Sequence, residues 1–218
     1  MRRTVDAQVD LRSSAGPAPN RVTPSGEIVA IEQRGLFMGN RGSIHRRPRE
    51  IARPWQVRRW ITCVLEYKGW VAPMWEPGRW TPLFFWDEAV ALAAGHRPCA
   101  LCRHGDYVRW LDAWEAAFGD RPRADPMDRV LHEARVDGRR QRHHTRLWAG
   151  LPAGTFVVRG DAPVPELVLD DRLVPWSAAG YGSAHDRPPR GQTTVLSPAP
   201  TVEVLAHGYR PVLHPTAT

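Results

Sequence analysis

The chain of 218 residues has three cysteines, one lysine and no long apolar run. Each scarcity excludes something. A small, odd cysteine count rules out a disulfide-stapled scaffold, and a chain of this length buries a core without one. Charges or prolines break every hydrophobic run before the roughly 20 apolar residues that a membrane helix needs. The opening MRRTVDAQVDLRSSAGPAPN has arginines but no apolar segment of the signal-peptide kind, so the expectation is a cytoplasmic protein with reduced thiols and no membrane contact. No P-loop, dinucleotide fingerprint or nucleophile motif is present to announce an activity.

What is abundant is arginine. Lys68 is the only lysine among 30 basic residues, which outnumber 23 acidic ones for a net charge of +7 and a pI near 10.1. Such a surplus attracts polyanions. With 21 prolines and 18 glycines it is also the bias that a GC-rich genome imposes, so charge alone does not name a partner.

The order of patterns predicts an α+β protein. Residues 1–26 read as a disordered leader rich in Arg, Ser, Pro and Gly. GEIVAIEQRG reads as a strand, and FMGNRGSIH as a glycine turn delivering His45. WITCVLEY, carrying Cys63, and RWTPLFF read as the two strands of a hairpin. DEAVALAAG then predicts a short helix with acidic residues at its start and Gly95 at its stop. A second helix runs to about Phe118, with Tyr107, Trp110, Leu111 and Trp114 on one stripe. These make a zinc-stabilised hairpin-and-helix module over 27–119. A helical connector over 120–150 contains PMDRVLHEARVDG, and a β-rich unit over 151–218 closes with the helix PTVEVLAHG.

The three cysteines carry the clearest chemistry. Cys99 and Cys102 form a C-x2-C at a helix start, where two thiolates face one point beside the helix's first amides. A thioredoxin-like dithiol uses the same spacing but follows a strand in a βαβ unit, whereas a helix and an Arg-Pro turn come first here. Three small buried side chains are the plainer alternative. The predicted hairpin brings Cys63 back as a third ligand for Zn2+, and no fourth cysteine remains. The fourth ligand is then a histidine: His45 on its glycine turn, or His96, while His104 points to another side of the helix. Four protein ligands make a closed, structural site.

The segment LFFWDEAVALAAGHRPCALCR resembles the second half of the zinc-binding N-terminal domain of Ada-type DNA alkylation-repair proteins. There, an aromatic strand end, an Ala-rich helix and a Gly-x-Arg-Pro-Cys-x-x-Cys turn supply two zinc thiolates. The likeness covers residues 83–103, with a weaker strand match from about residue 61 around Cys63. A group of bacterial proteins shares the GHRPC segment and adds no function. The resemblance implies Cys99 and Cys102 as ligands. It does not imply methyl transfer, because the family's upstream C-x3-C is broken: Tyr67 stands four residues after Cys63.

Seven arginines lie between Arg41 and Arg59 against one acid, Glu50, with Trp55 and Trp60 interleaved. Arginines contact phosphates and tryptophans stack bases, so Arg41, Arg46, Arg47, Arg58 and Arg59, with Arg139 and Arg140 further on, are candidate nucleic-acid contacts. Trp70, Trp75 and Trp80 read as anchors closing a small core. The functional expectation is a zinc-binding protein associated with nucleic acid, in binding or in repair. Two alternatives stay open. One is an enzyme acting on a small molecule or nucleotide, with His132 and Glu133, or His143 and His144, as acid and base, or with a site near Tyr181, His207 and Tyr209. The other is a basic module that binds a protein.

Overall fold

FMGNRGSIH, expected to turn, supplies the central strand of the N-terminal sheet. Its glycines had the opposite meaning. A Cβ on Gly39 would lie 2.0 Å from the Ile61 carbonyl oxygen, so glycine is what lets two backbones approach inside the sheet. The structure, a computed structural model, describes residues 16–160 and 164–217. Strands of the two larger sheets are numbered below; short hairpins are given by residue.

The N-terminal sheet contains β1 (Pro19–Val22), β2 (Ile28–Ala30), β3 (Phe37–Asn40), β4 (Ile61–Cys63), β5 (Leu83–Phe85) and β6 (Arg97–Pro98). Their order is β6-β4-β3-β5-β1-β2. The two strands expected to form a hairpin, β4 and β5, do not pair; each lies antiparallel to one edge of β3. The leader expectation is also corrected over its second half. Val22 and the buried Asn20, whose Nδ2 donates to the Pro82 carbonyl at 3.2 Å, fasten β1 beside β5. Residues 1–15 of that expectation lie outside the described residues.

Between β5 and β6 runs α1 (Glu88–Ala93), capped by Asp87, whose Oδ1 accepts from the Val90 amide at 2.9 Å. Every residue of α1 is buried. Ala91 packs on the N-terminal sheet with Phe37, Leu83 and Phe85. Ala89, Val90 and Ala93 pack on Phe156, Leu167 and Trp176 of a second sheet, while Leu92 faces a helical layer. Small side chains let one helix serve three neighbours. Gly95 ends it at φ +87, as expected, and a Cβ there would also meet Arg135 Cδ at 2.4 Å.

The helical layer is α2 (His104–Phe118), α3 (Ala124–Arg135) and α4 (Ala199–Ala206). The predicted stripe holds: Tyr107, Trp110 and Trp114 are buried together with Met127, Leu131, Val204 and Tyr209, and Leu111 packs at the margin. After α3 the basic turn is a hairpin, Val136–Asp137 against Arg140–Gln141. The second sheet is antiparallel throughout. It contains β7 (His144–Leu147), β8 (Phe156–Val158), β9 (Glu166–Val168), β10 (Arg172–Ser177), β11 (Gly180–Tyr181) and β12 (Gln192–Val195), ordered β7-β12-β8-β9-β10-β11, with His185–Asp186 beside β10. The α+β class read from the sequence is the class observed.

Buried polar groups tie the C-terminal segment to α1. Asp87 Oδ2 accepts from the Tyr181 hydroxyl at 2.8 Å and the His214 amide at 3.0 Å. Glu88 accepts from the Tyr209 hydroxyl at 2.6 Å and the Val212 amide at 2.9 Å, and pairs with Arg103 at 2.8 Å. Burial raises the Asp87 carboxyl to about 6 despite these donors. Tyr181 and Tyr209 therefore close the fold, and His207 sits exposed beyond α4 with its Nδ1 on the Glu203 carbonyl.

Candidate metal centre

Sheet register does most of the work of assembling the cysteines. The edge strand β6 runs parallel to β4, Arg97 opposite Ile61 and Pro98 opposite Thr62, and the Cys99 amide donates to the Thr62 carbonyl at 2.9 Å. Cys99 thus arrives beside Cys63. Pro98 then ends the strand, and the tight turn Ala100–Arg103 lifts Cys102 to the same place before α2 begins. The sulfurs of Cys63, Cys99 and Cys102 all lie within 4.8 Å of one another, and all three are free thiols.

The surroundings favour a charged sulfur at one position. Hydrogen bonds from Cys102 and Cys63 hold the Cys99 thiol far below its ordinary range, with the backbone amides of Cys102 and Leu101 adding to the effect against burial. Hydrogen bonding to Cys102 and Cys99, then burial, pushes Cys63 far above it. Met38, Ala72, Trp80 and Phe84 pack around the three sulfurs, while Cys102 is half-exposed, so the cluster opens to solvent on that side.

The histidine expected as fourth ligand is not there. All nine histidines lie among the described residues, and none joins the three sulfurs. His45 is held elsewhere, with its Nδ1 2.6 Å from Thr81 Oγ1 and its ring edge-on to Trp75. The glycine segment that was to swing it across is locked in β3. His96 is buried on the opposite side, between Phe85 and Trp60, and accepts from Arg41 Nε at 3.4 Å. His104 caps back onto the Ala100 carbonyl.

The donor set fits a soft or borderline metal. Tetrahedral zinc–thiolate geometry, with Zn–S about 2.3 Å, sets sulfurs about 3.8 Å apart. Sulfurs already within 4.8 Å reach that spacing by small side-chain rotations. Three thiolates leave one coordination position to a ligand from outside the cluster.

The arginine candidates divide. Arg46 is engaged by Glu50, with Nε–Oε1 at 3.0 Å, and Arg59 by Asp125 at 2.7 Å. Arg47 and Arg58 are exposed on the surface. Arg41, Arg139 and Arg140 line one large cleft, which Ala94, just past α1, also borders. Of the catalytic candidates, His132 packs edge-on to Trp55 at 4.6 Å, with burial and Arg135 lowering it to about 4, and Glu133 is exposed. His144 Nε2 meets the Ser197 carbonyl at 2.9 Å. These contacts assemble no acid–base pair.

Sequence reasoning missed Arg97, Asp128 and Arg135. Arg97 and Asp128 form a buried two-pronged pair at 2.9 and 2.7 Å, Arg97 lying just ahead of Cys99 in the chain. The signal was present: Asp128, Leu131 and Arg135 fall at i, i+3 and i+7 on the apolar face of α3, where a charge is either paired or functional.

Compared with known proteins, the chain matches no family, no curated protein and no solved structure.

Proposed function

We propose that the protein binds one Zn2+ through Cys63, Cys99 and Cys102, with the fourth position open to water or an incoming ligand. The observation that carries this is the convergence of three sulfurs within 4.8 Å from segments 36 residues apart, the only cysteines in the chain. The ion would join the edge of the N-terminal sheet to the start of α2 and offset the negative charge of the three thiolates it gathers. The Arg-Pro-Cys-x-x-Cys turn that resembles the Ada-type domain supports the same two thiolates. Protein purified under reducing conditions is expected to hold about one zinc per chain by elemental analysis, released by thiol modification or a strong chelator. Folded protein with no bound metal overturns the proposal.

The nucleic-acid reading has a narrower support than composition implied. It rests on Arg41, Arg139 and Arg140 meeting in one cleft, with Arg53 and Arg135 beside them. Binding of short single- and double-stranded oligonucleotides, followed by anisotropy, is expected to weaken steeply with salt. The Arg139→Ala/Arg140→Ala variant should flatten the log–log salt slope by about two. No binding at low salt would reject this reading and leave the metal proposal intact.

A further inference from the structure

The cleft that gathers these arginines has a volume of about 910 Å³, within the usual range for a small-molecule site. It is bounded by the Ser25–Val29 turn and strand, the Ile51–Trp55 loop, the end of α3 and the Val136–Gln141 hairpin. Among the described residues, five arginines line it against one carboxylate, Glu27. Two of them, Arg41 and Arg135, are only 2% and 1% exposed.

The buried pair sits on Trp60, with guanidinium carbons 4.1 and 4.0 Å from its ring centroids. Arg41 Nη1 donates to the Gly26 carbonyl at 3.0 Å and its Nε to His96 Nε2 at 3.4 Å. Arg135 Nη1 donates to the Gly95 carbonyl at 2.6 Å, and its Nη2 to the Arg58 carbonyl. Every one of these acceptors is neutral. Among the described residues, Arg41 Nη2 and Arg135 Nε have no hydrogen-bond partner. The acid closest in effect to Arg135 is Asp128, already committed to Arg97 through both oxygens.

Two buried cations that, among the described residues, neither pair with an acid nor satisfy all their donors are an expensive arrangement for a fold alone. Burial accordingly lowers Arg41 to about 9, and lowers Arg135 as well, with Arg41 among the charges that oppose it. An anion reaching the pair would offset that penalty. Arg53, Arg139 and Arg140, exposed at the rim, add charge for more than one negative oxygen, which suits a phosphate dianion over a carboxylate.

We propose that this cleft binds a phosphomonoester of nucleotide size, with Arg41 and Arg135 as the buried anion anchor and the rim arginines as its outer contacts. The phosphate belongs either to a free mononucleotide or to the end of a nucleic-acid strand. The proposal shares with the nucleic-acid reading only the premise that the cleft is an anion site, and it is independent of the metal.

Calorimetry on the full chain at low ionic strength tests it, with inorganic phosphate, adenosine monophosphate, adenosine, and one oligonucleotide carrying either a 5′-phosphate or a 5′-hydroxyl. The monophosphate is expected to bind at least about tenfold more tightly than adenosine, and Arg41→Gln to weaken it by about tenfold or more. Should Arg41→Gln not fold, the exposed Arg139→Ala/Arg140→Ala variant should keep the wild-type melting temperature and lose several-fold affinity. A preference for the 5′-phosphorylated strand over the monophosphate identifies a strand end; the reverse identifies a free nucleotide. Failure of every phosphate-bearing probe to bind, adenosine binding as well as its monophosphate, or no change in the rim variant overturns the proposal. Oligonucleotide binding indifferent to the 5′-phosphate, with no monophosphate binding, rejects it while sparing the nucleic-acid reading.

Discussion

Cys99→Ser is expected to lose the metal altogether and to lower the unfolding midpoint sharply. Cys99 is the cluster's keystone: its amide is tied to Thr62 in the sheet, and its sulfur accepts from the Leu101 amide in the turn that carries Cys102. A serine oxygen keeps the turn's shape but is a poor zinc ligand beside two thiolates. Because the metal would hold the edge strand β6 and the start of α2 together, its free energy of binding is folding free energy at this edge. Cys63→Ser and Cys102→Ser should lose the metal too, with Cys102→Ser the mildest for stability because that side chain is half-exposed. Metal content by elemental analysis and thermal unfolding with and without added zinc read the result. A Cys99→Ser protein that retains one zinc per chain, or that unfolds at the wild-type midpoint regardless of zinc, would show that the thiols are packing groups.

The second large effect is expected at Asp128. Its two oxygens receive Arg97 Nε and Nη2, and both side chains are about 2–3% exposed. Burial nonetheless outweighs Arg97's hydrogen bonds and holds the Asp128 carboxyl above its ordinary range, so the pair is desolvated at a cost. Removing one partner is worse than keeping both. Asp128→Ala strands Arg97 without its counter-ion and removes an acid whose charge supports Arg135, a loss of about 3–5 kcal/mol in urea unfolding. Arg97→Met combined with Asp128→Leu should recover most of it, because two apolar side chains leave no charge stranded. The exposed Arg59 pairing with Asp125 is the contrast, and its removal should leave the midpoint where it is. An Asp128→Ala variant within about 1 kcal/mol of wild type would contradict the argument.

The helices were legible because their signals are local. Asp87 and Gly95 bracket α1, a stripe of Tyr107, Trp110 and Trp114 marks α2, and Gly208 closes the turn after α4. The cysteine trio was legible because so few cysteines exist to choose from. Strand pairing was not, since it depends on partners far along the chain: Gly39 reads as a turn residue until Ile61 is known to lie against it. The misplaced strand carried the misplaced ligand with it, and His45 went to Thr81 when β3 became the sheet's centre. The arginines show the same limit. Their surplus is visible in composition, but that Arg41 and Arg135 share Trp60 follows only from the crossing of β3, α3 and the loop before β4.

The wholly buried α1 has a mechanical consequence. Its faces toward the two sheets are small, Ala91 on one side and Ala89, Val90 and Ala93 on the other. The large side chains at these contacts, Phe37, Leu83 and Phe85 on one side and Phe156, Leu167 and Trp176 on the other, come from the sheets. Ala94, one residue past the helix, lines the arginine cleft, while β6, which follows Gly95, leads straight into Cys99. The cleft and the cysteine edge are thus joined by the short segment from Ala94 to Cys99, so a substitution that shifts this segment is expected to be felt at both.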